Sequence, residues 1–140
     1  MENTRYNNAT VKEVEEFLED LRLKLEFQGV YWDQRQKNLN SYVMLSEWGY
    51  SSLNLIEFIK KLTPSNYYQG PKPDTDNIPS KGPLWVFGMF IKPKNKKRKN
   101  EKLEFYIKIQ IGWPNKEVIC ISFHPKEENI TYPLATSENA

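Results

Sequence analysis

The segment EFYIKIQIGWPNKEVICISFHP, residues 104–125, contains the only histidine of the chain, His124. The segment reads as two β-strands joined by a short turn. Because side chains alternate along a strand, Tyr106 and Lys108 share one face of the first strand, and Ser122 and His124 share one face of the second. An imidazole, a phenol and an ammonium group on one face are a plausible set for metal-free cleavage of an RNA phosphodiester.

Cleavage of this kind removes a proton from the 2′-hydroxyl, stabilises extra negative charge at phosphorus and protonates the 5′-oxygen. His124 could act as the acid or the base, because histidine ionises at a pH of about 6.5. Lys108 could be the counter-charge of the phosphate. Tyr106 suits a hydrogen-bond donor, since the pKa of a phenol is about 10. A lone histidine at a strand end and a Tyr–x–Lys pair are also typical of an ordinary solvated face, so both readings stay open.

The composition limits the classes of function. One cysteine excludes an intramolecular disulfide, and one cysteine with one histidine cannot form an ordinary structural zinc site. The 140 residues fit one domain, and 39% apolar residues indicate a globular protein. No apolar run is long enough for a membrane helix, and the polar N-terminus does not resemble a signal peptide. We therefore expect a cytoplasmic protein without a membrane partner.

The charge is unevenly distributed. The net charge is +2, but the segment KPKNKKRKNEK, residues 92–102, has seven basic residues and one glutamate, so the other 129 residues carry −4. We call residues 92–102 the basic tip. Clustered cations bind RNA by releasing counterions from phosphate, although a charged tip also keeps edge strands from pairing. The candidate RNA contacts in the tip are Lys96, Lys97, Arg98 and Lys99.

The first part of the chain, residues 11–62, is predicted to be mainly helical. Thr10 and Glu13 have the spacing of a capping box, and apolar residues recur every three or four positions, which predicts a helix over 11–27. Residues 30–40 could be a short strand or a linker, and 40–48 could be a short helix. A third helix should be capped by Ser51 or Ser52 and should carry an apolar stripe. The stripe would comprise Leu53, Ile56, Ile59 and Leu62.

The second part of the chain is predicted to form a sheet. After a proline-rich loop at 71–83, three strands are expected at 84–91, 103–111 and 117–123, joined as an antiparallel meander. The fold class is therefore α+β, a single domain in which the helices pack on the meander of residues 84–124, followed by a polar tail at 125–140. Strict alternation in the last strand predicts two sets of side chains. Ile119, Ile121 and Phe123 would face the helices, and Val118, Cys120, Ser122 and His124 would face away.

A family resemblance supports this arrangement. The stretch WGYSSLNLIEFIKKLTPSNYYQGP, followed by LWVFGMF, FYIKIQI and VICISFHPKE, resembles the MqsR family of bacterial toxins, which belongs to the RelE-like messenger-RNA endonucleases. The resemblance covers about residues 48–127. It is carried by the order of the motifs: a glycine-containing turn, a helix, a Tyr–Tyr segment, an aliphatic–Trp pair, a Tyr–x–Lys strand and a strand ending in Ser-Phe.

The resemblance implies an active site on these strands. Its tyrosine falls on Tyr106, and its basic residue after Ser-Phe falls on His124, where the family usually has lysine. A second basic position of the family falls on Gln69, and a polar position falls on Val86, so two charged or polar groups are replaced. Three lysines could supply the missing charge: Lys72, Lys108 and Lys126.

The resemblance also implies a function. It predicts the toxin of a type II toxin–antitoxin system, an endoribonuclease that cleaves messenger RNA without metal or cofactor and arrests growth. Its expected partners are RNA, a cognate antitoxin with a helix-turn-helix domain, and the ribosome. Two alternatives remain. One is a non-catalytic module that binds RNA, the ribosome or a protein through the basic tip, and the other is a protein-only assembly role at the edge of the meander.

Overall fold

A computed structural model describes residues 9–74, 82–94, 101–112 and 117–135. It is an α+β fold in which three helices pack on one face of a five-stranded sheet. The helices are α1 (Val11–Phe27), α2 (Gln36–Glu47) and α3 (Ser52–Lys60), and the strands are β1 (Tyr31–Trp32), β2 (Tyr67–Lys72), β3 (Leu84–Ile91), β4 (Leu103–Gly112) and β5 (Glu117–Pro125). We call the sheet face under the helices the core face and the opposite one the open face.

The first helix begins and ends where the sequence predicts. The Thr10 hydroxyl accepts a hydrogen bond from the Glu13 amide at 3.1 Å, and the Glu13 carboxylate accepts one from the Thr10 amide at 2.8 Å. These two bonds satisfy amides that a helix N-terminus otherwise leaves unpaired. The apolar stripe of α1 is buried against the rest of the core through Val14, Leu18, Leu21 and Leu25.

The second and third helices differ in detail from the prediction. Helix α2 begins at Gln36, four residues before the predicted start. Ser51 caps α3, as one of the two predicted alternatives, and its hydroxyl accepts from the Asn54 amide at 3.3 Å. The predicted placement of Leu53 on the buried stripe is wrong, because its side chain is 71% exposed and Leu55 is buried in its stead. The stripe of a helix has a period of 3.6 residues, and Leu55, Ile59 and Leu62 follow that period.

The sheet contains the three predicted strands, the short strand that was one alternative for residues 30–40, and one further strand, β2. Its strand order is β1-β5-β4-β3-β2. The pairs β2–β3, β3–β4 and β4–β5 are antiparallel, and the pair β1–β5 is parallel. The start of the predicted loop at 71–83 belongs to β2, which carries Pro71 and two irregularities in its pairing with β3. Proline cannot donate to a ladder, and β2 is an edge strand, where this loss is tolerated.

A β-bulge changes which side chains of β5 face the core. Lys108 pairs with Ser122, but the next residue of β4 pairs with Cys120, so Ile121 is the extra residue. The prediction from strict alternation is therefore wrong for Cys120 and Val118, which are buried in the core together with Phe123. The strand after the bulge keeps its predicted orientation.

The segment after β5, which the sequence predicted to be mostly polar, packs on the open face. We call residues 126–135 the C-terminal segment. The Lys126 ammonium lies 2.8 Å from one carboxylate oxygen of Glu104 on β4, and the Tyr132 hydroxyl donates to the other at 2.5 Å. Glu104 thereby holds Lys126 and Tyr132 of the C-terminal segment against the sheet.

Gly88 on β3 allows this close approach. A Cβ atom at this position would lie 2.5 Å from the Tyr132 hydroxyl oxygen and 3.0 Å from a methyl carbon of Ile130. Separations this short are steric clashes, so a larger residue would displace the C-terminal segment. Gly88 lies directly opposite Tyr106, which places the segment beside the predicted site.

Candidate functional site

Tyr106 and His124 face each other across the β4–β5 ladder. The two residues are direct cross-strand partners, and their rings stack with centroids 5.6 Å apart and an angle of 19° between the planes. The His124 side chain is largely enclosed, with 7% of the residue exposed. The shared face predicted for these residues is therefore observed, and cross-strand stacking holds the imidazole in place.

The His124 ring has a defined tautomer. Its Nδ1 atom lies 2.9 Å from the carbonyl oxygen of Pro125. A carbonyl oxygen only accepts hydrogen bonds, so Nδ1 is the donor and carries a proton. In the neutral ring the basic nitrogen is then Nε2. Nε2 is accordingly the atom that can take up or give back a proton.

Lys108 and Ser122 form the next cross-strand pair on the same face. The Lys108 ammonium lies 5.9 Å from the centroid of the Tyr106 ring, within the range of a cation–π contact. Three of the predicted site residues, Tyr106, Lys108 and His124, are thus brought together by β4 and β5.

These side chains form one wall of a cavity of about 390 Å³. The remaining walls come from the beginning of α2 and from the C-terminal segment. The lining residues are Arg35, Gln36, Lys37, Tyr106, Lys108, Ser122, His124, Glu127 and Glu128. The cavity therefore contains three permanent cations, one imidazole and two carboxylates.

One ion pair links the helical wall of the cavity to the C-terminal segment. The Lys37 ammonium lies 2.6 Å from a carboxylate oxygen of Glu127, and both side chains are more than half exposed. The hydrogen bond and the charge of Lys37 lower the pKa of Glu127. Arg35 is paired within its own loop, with Nε 2.9 Å from the Asp33 carboxylate. The exposed pair of Lys37 and Glu127 is weak, so an incoming phosphate can compete for Lys37.

The environment of Tyr106 keeps its phenol protonated. Burial and the nearby charge of Glu128 raise the pKa of Tyr106 to about 12. The Tyr68 hydroxyl on β2 donates to Glu128 at 2.8 Å, and burial together with this carboxylate raises the pKa of Tyr68 to about 12. Both hydroxyls are therefore hydrogen-bond donors near neutral pH and not bases.

The other predicted site residues lie outside this cavity. Gln69 and Lys72 are on β2, where the Lys72 ammonium donates to the Gln69 side-chain oxygen at 2.8 Å, and neither residue lines the cavity. Val86, the position that resembles a polar family residue, is fully buried. Lys126 is engaged by Glu104. Gln69, Lys72 and Lys126 therefore do not line the cavity that contains the Tyr106–His124 pair.

The predicted RNA contacts of the basic tip, Lys96, Lys97, Arg98 and Lys99, lie outside the described residues. The described ends of the tip pack on aromatic rings. The Lys94 ammonium lies 5.3 Å from the centroid of Tyr50, and the Lys102 ammonium lies 5.2 Å from the centroid of Phe90.

The sequence did not reveal the contribution of Arg35, Lys37, Glu127 and Glu128. They meet at the cavity because β1 pairs with β5 and brings the start of α2 beside the end of β5. A two-residue strand has no periodicity, so nothing in the local sequence around Tyr31 and Trp32 could have indicated this pairing.

Within the described ranges, no group of three or more histidine, cysteine, aspartate or glutamate side chains is arranged to hold a metal ion. None of the helices in these ranges has the length and apolar character to cross a membrane. Comparison with models of protein families, with curated proteins and with solved structures finds no match for this chain. The function is therefore inferred from the site itself.

Proposed function

We propose that the cavity is the active site of a metal-independent endoribonuclease. In this proposal His124 transfers the proton, Tyr106 donates a hydrogen bond to the scissile phosphate, and Lys108 is the counter-charge. The observation that carries the proposal is the stacked Tyr106–His124 pair beside Lys108 in a cavity that also holds Arg35 and Lys37.

The reaction balances with one imidazole. Nε2 of neutral His124 accepts the proton of the 2′-hydroxyl, and the 2′-oxygen forms a bond to phosphorus. The bond from phosphorus to the 5′-oxygen breaks, and the 5′-oxygen takes the proton back from Nε2. The products are a 2′,3′-cyclic phosphate and a 5′-hydroxyl. The hydrogen bond from Nδ1 to Pro125 orients the ring and leaves Nε2 as its basic nitrogen.

The charges in the cavity suit a phosphodiester. Lys108 and the Tyr106 hydroxyl can contact the oxygens that gain charge in the transition state, and electrostatic groups of this type contribute on the order of 3 kcal/mol where one has been removed. Lys37 can leave Glu127 and bind a phosphate next to the scissile one, because the Lys37–Glu127 ion pair is exposed and therefore weak.

The physiological role follows from the resemblance of residues 48–127 to MqsR-like toxins. We extend the proposal accordingly to the toxin of a type II toxin–antitoxin system that acts on messenger RNA in the cytoplasm and is neutralised by an antitoxin with a helix-turn-helix domain. The ribosome would be a partner only if cleavage requires translation.

The test is inducible expression in bacteria of the wild type and of His124→Ala, with growth followed and RNA 5′ ends mapped. We expect growth arrest and new 5′ ends with the wild type only. With purified protein and RNA, cleavage should persist in a chelator, and His124→Ala should reduce it by about 10²–10⁴-fold, the usual contribution of an acid–base group. Glu117→Ala, at the exposed start of the same strand, is the matched control and should cleave like the wild type. Equal cleavage by His124→Ala would refute the proposed role of His124.

A second candidate is a non-catalytic module that binds RNA, the ribosome or a protein through the basic tip. The local charge of +6 over residues 92–102 favours it. In that case, replacing Lys96, Lys97, Arg98 and Lys99 by alanine would abolish binding, whereas His124→Ala would leave it intact. Binding to RNA would also weaken steeply with salt.

A further inference from the structure

A second cavity, of about 290 Å³, lies on the helical side of the loop that joins β1 to α2. Three aromatic residues line it: Trp32 from β1, Tyr42 from α2, and Tyr50 from the loop before α3. The rings of Trp32 and Tyr42 lie 5.8 Å apart and meet at 70°. Two rings at this angle form a corner in which a planar group can stack on one ring and abut the edge of the other.

The aromatic cavity borders on the proposed active site. Gln34 lines the aromatic cavity, and the next residue, Arg35, lines the cavity that contains His124. Adjacent residues of the chain thus line the two cavities, and the second of them, Arg35, carries a cation.

The aromatic cavity also borders on the basic tip. The Tyr50 hydroxyl donates to the carbonyl of Lys92 at 2.6 Å, and the ammonium of Lys94 lies over the Tyr50 ring. Cations are thus present on both sides of an aromatic cavity. Alternation of cations for phosphates and aromatic rings for bases is how proteins bind single-stranded nucleic acid without reading its sequence.

We propose that the aromatic cavity is a nucleobase subsite, which holds a base of single-stranded RNA that runs from the active site towards the basic tip. This inference rests on the proposed ribonuclease function for the identity of the ligand. The Gln34 amide offers a donor and an acceptor to the edge of a base, so any of the four bases can be accommodated.

The test fills the cavity from two walls. Ser46 on α2 and Ser52 on α3 line it and are exposed, so Ser46→Tyr and Ser52→Tyr each place a ring in the space that the base would occupy. Val43→Tyr and Leu53→Tyr are the matched controls, because these residues are exposed on the same helices and do not line the cavity.

The ligand is a 2′-O-methyl RNA single strand of about ten nucleotides, which lacks the nucleophilic hydroxyl and cannot be cleaved. A second strand of equal length lacks the bases but keeps the phosphates. Binding of both is measured by fluorescence anisotropy. We expect Ser46→Tyr and Ser52→Tyr to bind the first strand about 5- to 150-fold more weakly than the wild type, the loss that corresponds to one stacked base. They should bind the second strand as the wild type does, and both controls should behave as the wild type with both strands.

Three results would overturn the inference: undiminished binding by both filled variants, equal wild-type affinity for strands with and without bases, or no binding of either strand by the wild type. The variants lie on different helices, so misfolding of one leaves the other as a test. Failure of the subsite is distinguishable from failure of the catalytic proposal. If only the subsite proposal fails, the wild type still cleaves RNA faster than His124→Ala. If only the catalytic proposal fails, the wild type still binds the uncleavable strand more tightly than the strand without bases.

Discussion

Asn38 is the buried polar residue that joins α2 to β5, and its removal should be costly. Its side chain is completely buried. The Nδ2 group donates to the carbonyls of Asp33 at 3.0 Å and Ile121 at 2.9 Å, and the Oδ1 atom accepts from the amide of Phe123 at 3.0 Å. The side chain thus pairs with β5 just beyond the two residues at which β1 pairs with it.

The loss expected for Asn38→Ala follows from these bonds. The bonds to Ile121 and Phe123 are buried, and alanine would leave both backbone groups without a partner. An unsatisfied buried group costs about 1–3 kcal/mol, so we expect the free energy of unfolding to fall by about 2–6 kcal/mol. That is a large fraction of the roughly 5–15 kcal/mol that stabilises a domain.

Urea denaturation followed by fluorescence measures this loss, and Asn40→Ala on the same helix is the control. Asn40 is exposed and accepts a hydrogen bond from the Gln36 side chain at 2.8 Å, so its replacement should change the free energy of unfolding by less than about 0.5 kcal/mol. If Asn38→Ala lies within about 1 kcal/mol of the wild type, a value near one ordinary hydrogen bond, the bonds to β5 do not have the role described.

Three further predictions concern single groups. Tyr42→Phe should leave stability unchanged or raise it by about 1 kcal/mol, because the Tyr42 hydroxyl is buried with no hydrogen-bond partner among the described residues. Tyr67→Phe should lower the free energy of unfolding by about 1–3 kcal/mol, because the Tyr67 hydroxyl donates to the Gly70 carbonyl and accepts from the Ala9 amide. Urea denaturation of the Tyr42→Phe and Tyr67→Phe variants measures both changes. A larger loss of stability in Tyr42→Phe than in Tyr67→Phe would contradict the reasoning. Lys37→Ala should raise the pKa of Glu127 towards its ordinary value of 4.5, since Lys37 lowers that pKa. In the wild type, the stabilisation of the fold by the pairing of Glu127 with Lys37 is present above the pKa that Glu127 has in the unfolded chain. It is lost as the pH falls through the lower pKa that Glu127 has in the folded protein. NMR titration of Glu127 measures the change, and an unaltered pKa would show that the ion pair does not form in solution.

The elements that the sequence predicted have strong local signals. The first helix carries a capping box and an uninterrupted apolar stripe, and β3, β4 and β5 are rich in aromatic and β-branched residues. Strand β2 lacks such a signal, because Gly70 and Pro71 are residues typical of turns. Strand β1 has only two residues and depends on a pairing with residues 119–120, which no local pattern encodes.

The predicted orientation of the β5 side chains was right for one half of the strand and wrong for the other. Alternation placed Ser122 and His124 on the same face as Tyr106 and Lys108, and this held because both lie after the bulge at Ile121. The same rule failed for Val118 and Cys120, which precede it. An extra residue in a strand reverses the assignment of every side chain beyond it, and period-two reasoning cannot detect where one is inserted.

The pairing of β1 with β5 has a consequence for biosynthesis. The ion pair between Lys37 and Glu127 spans 90 positions, and the cavity has walls from both sides of that interval. During translation the first helices are made long before β5, so a nascent chain lacks His124 and cannot form the cavity. A product truncated before β5 lacks it as well. For a protein proposed to cleave messenger RNA, this topology delays activity until the ribosome has translated its own message past residue 128.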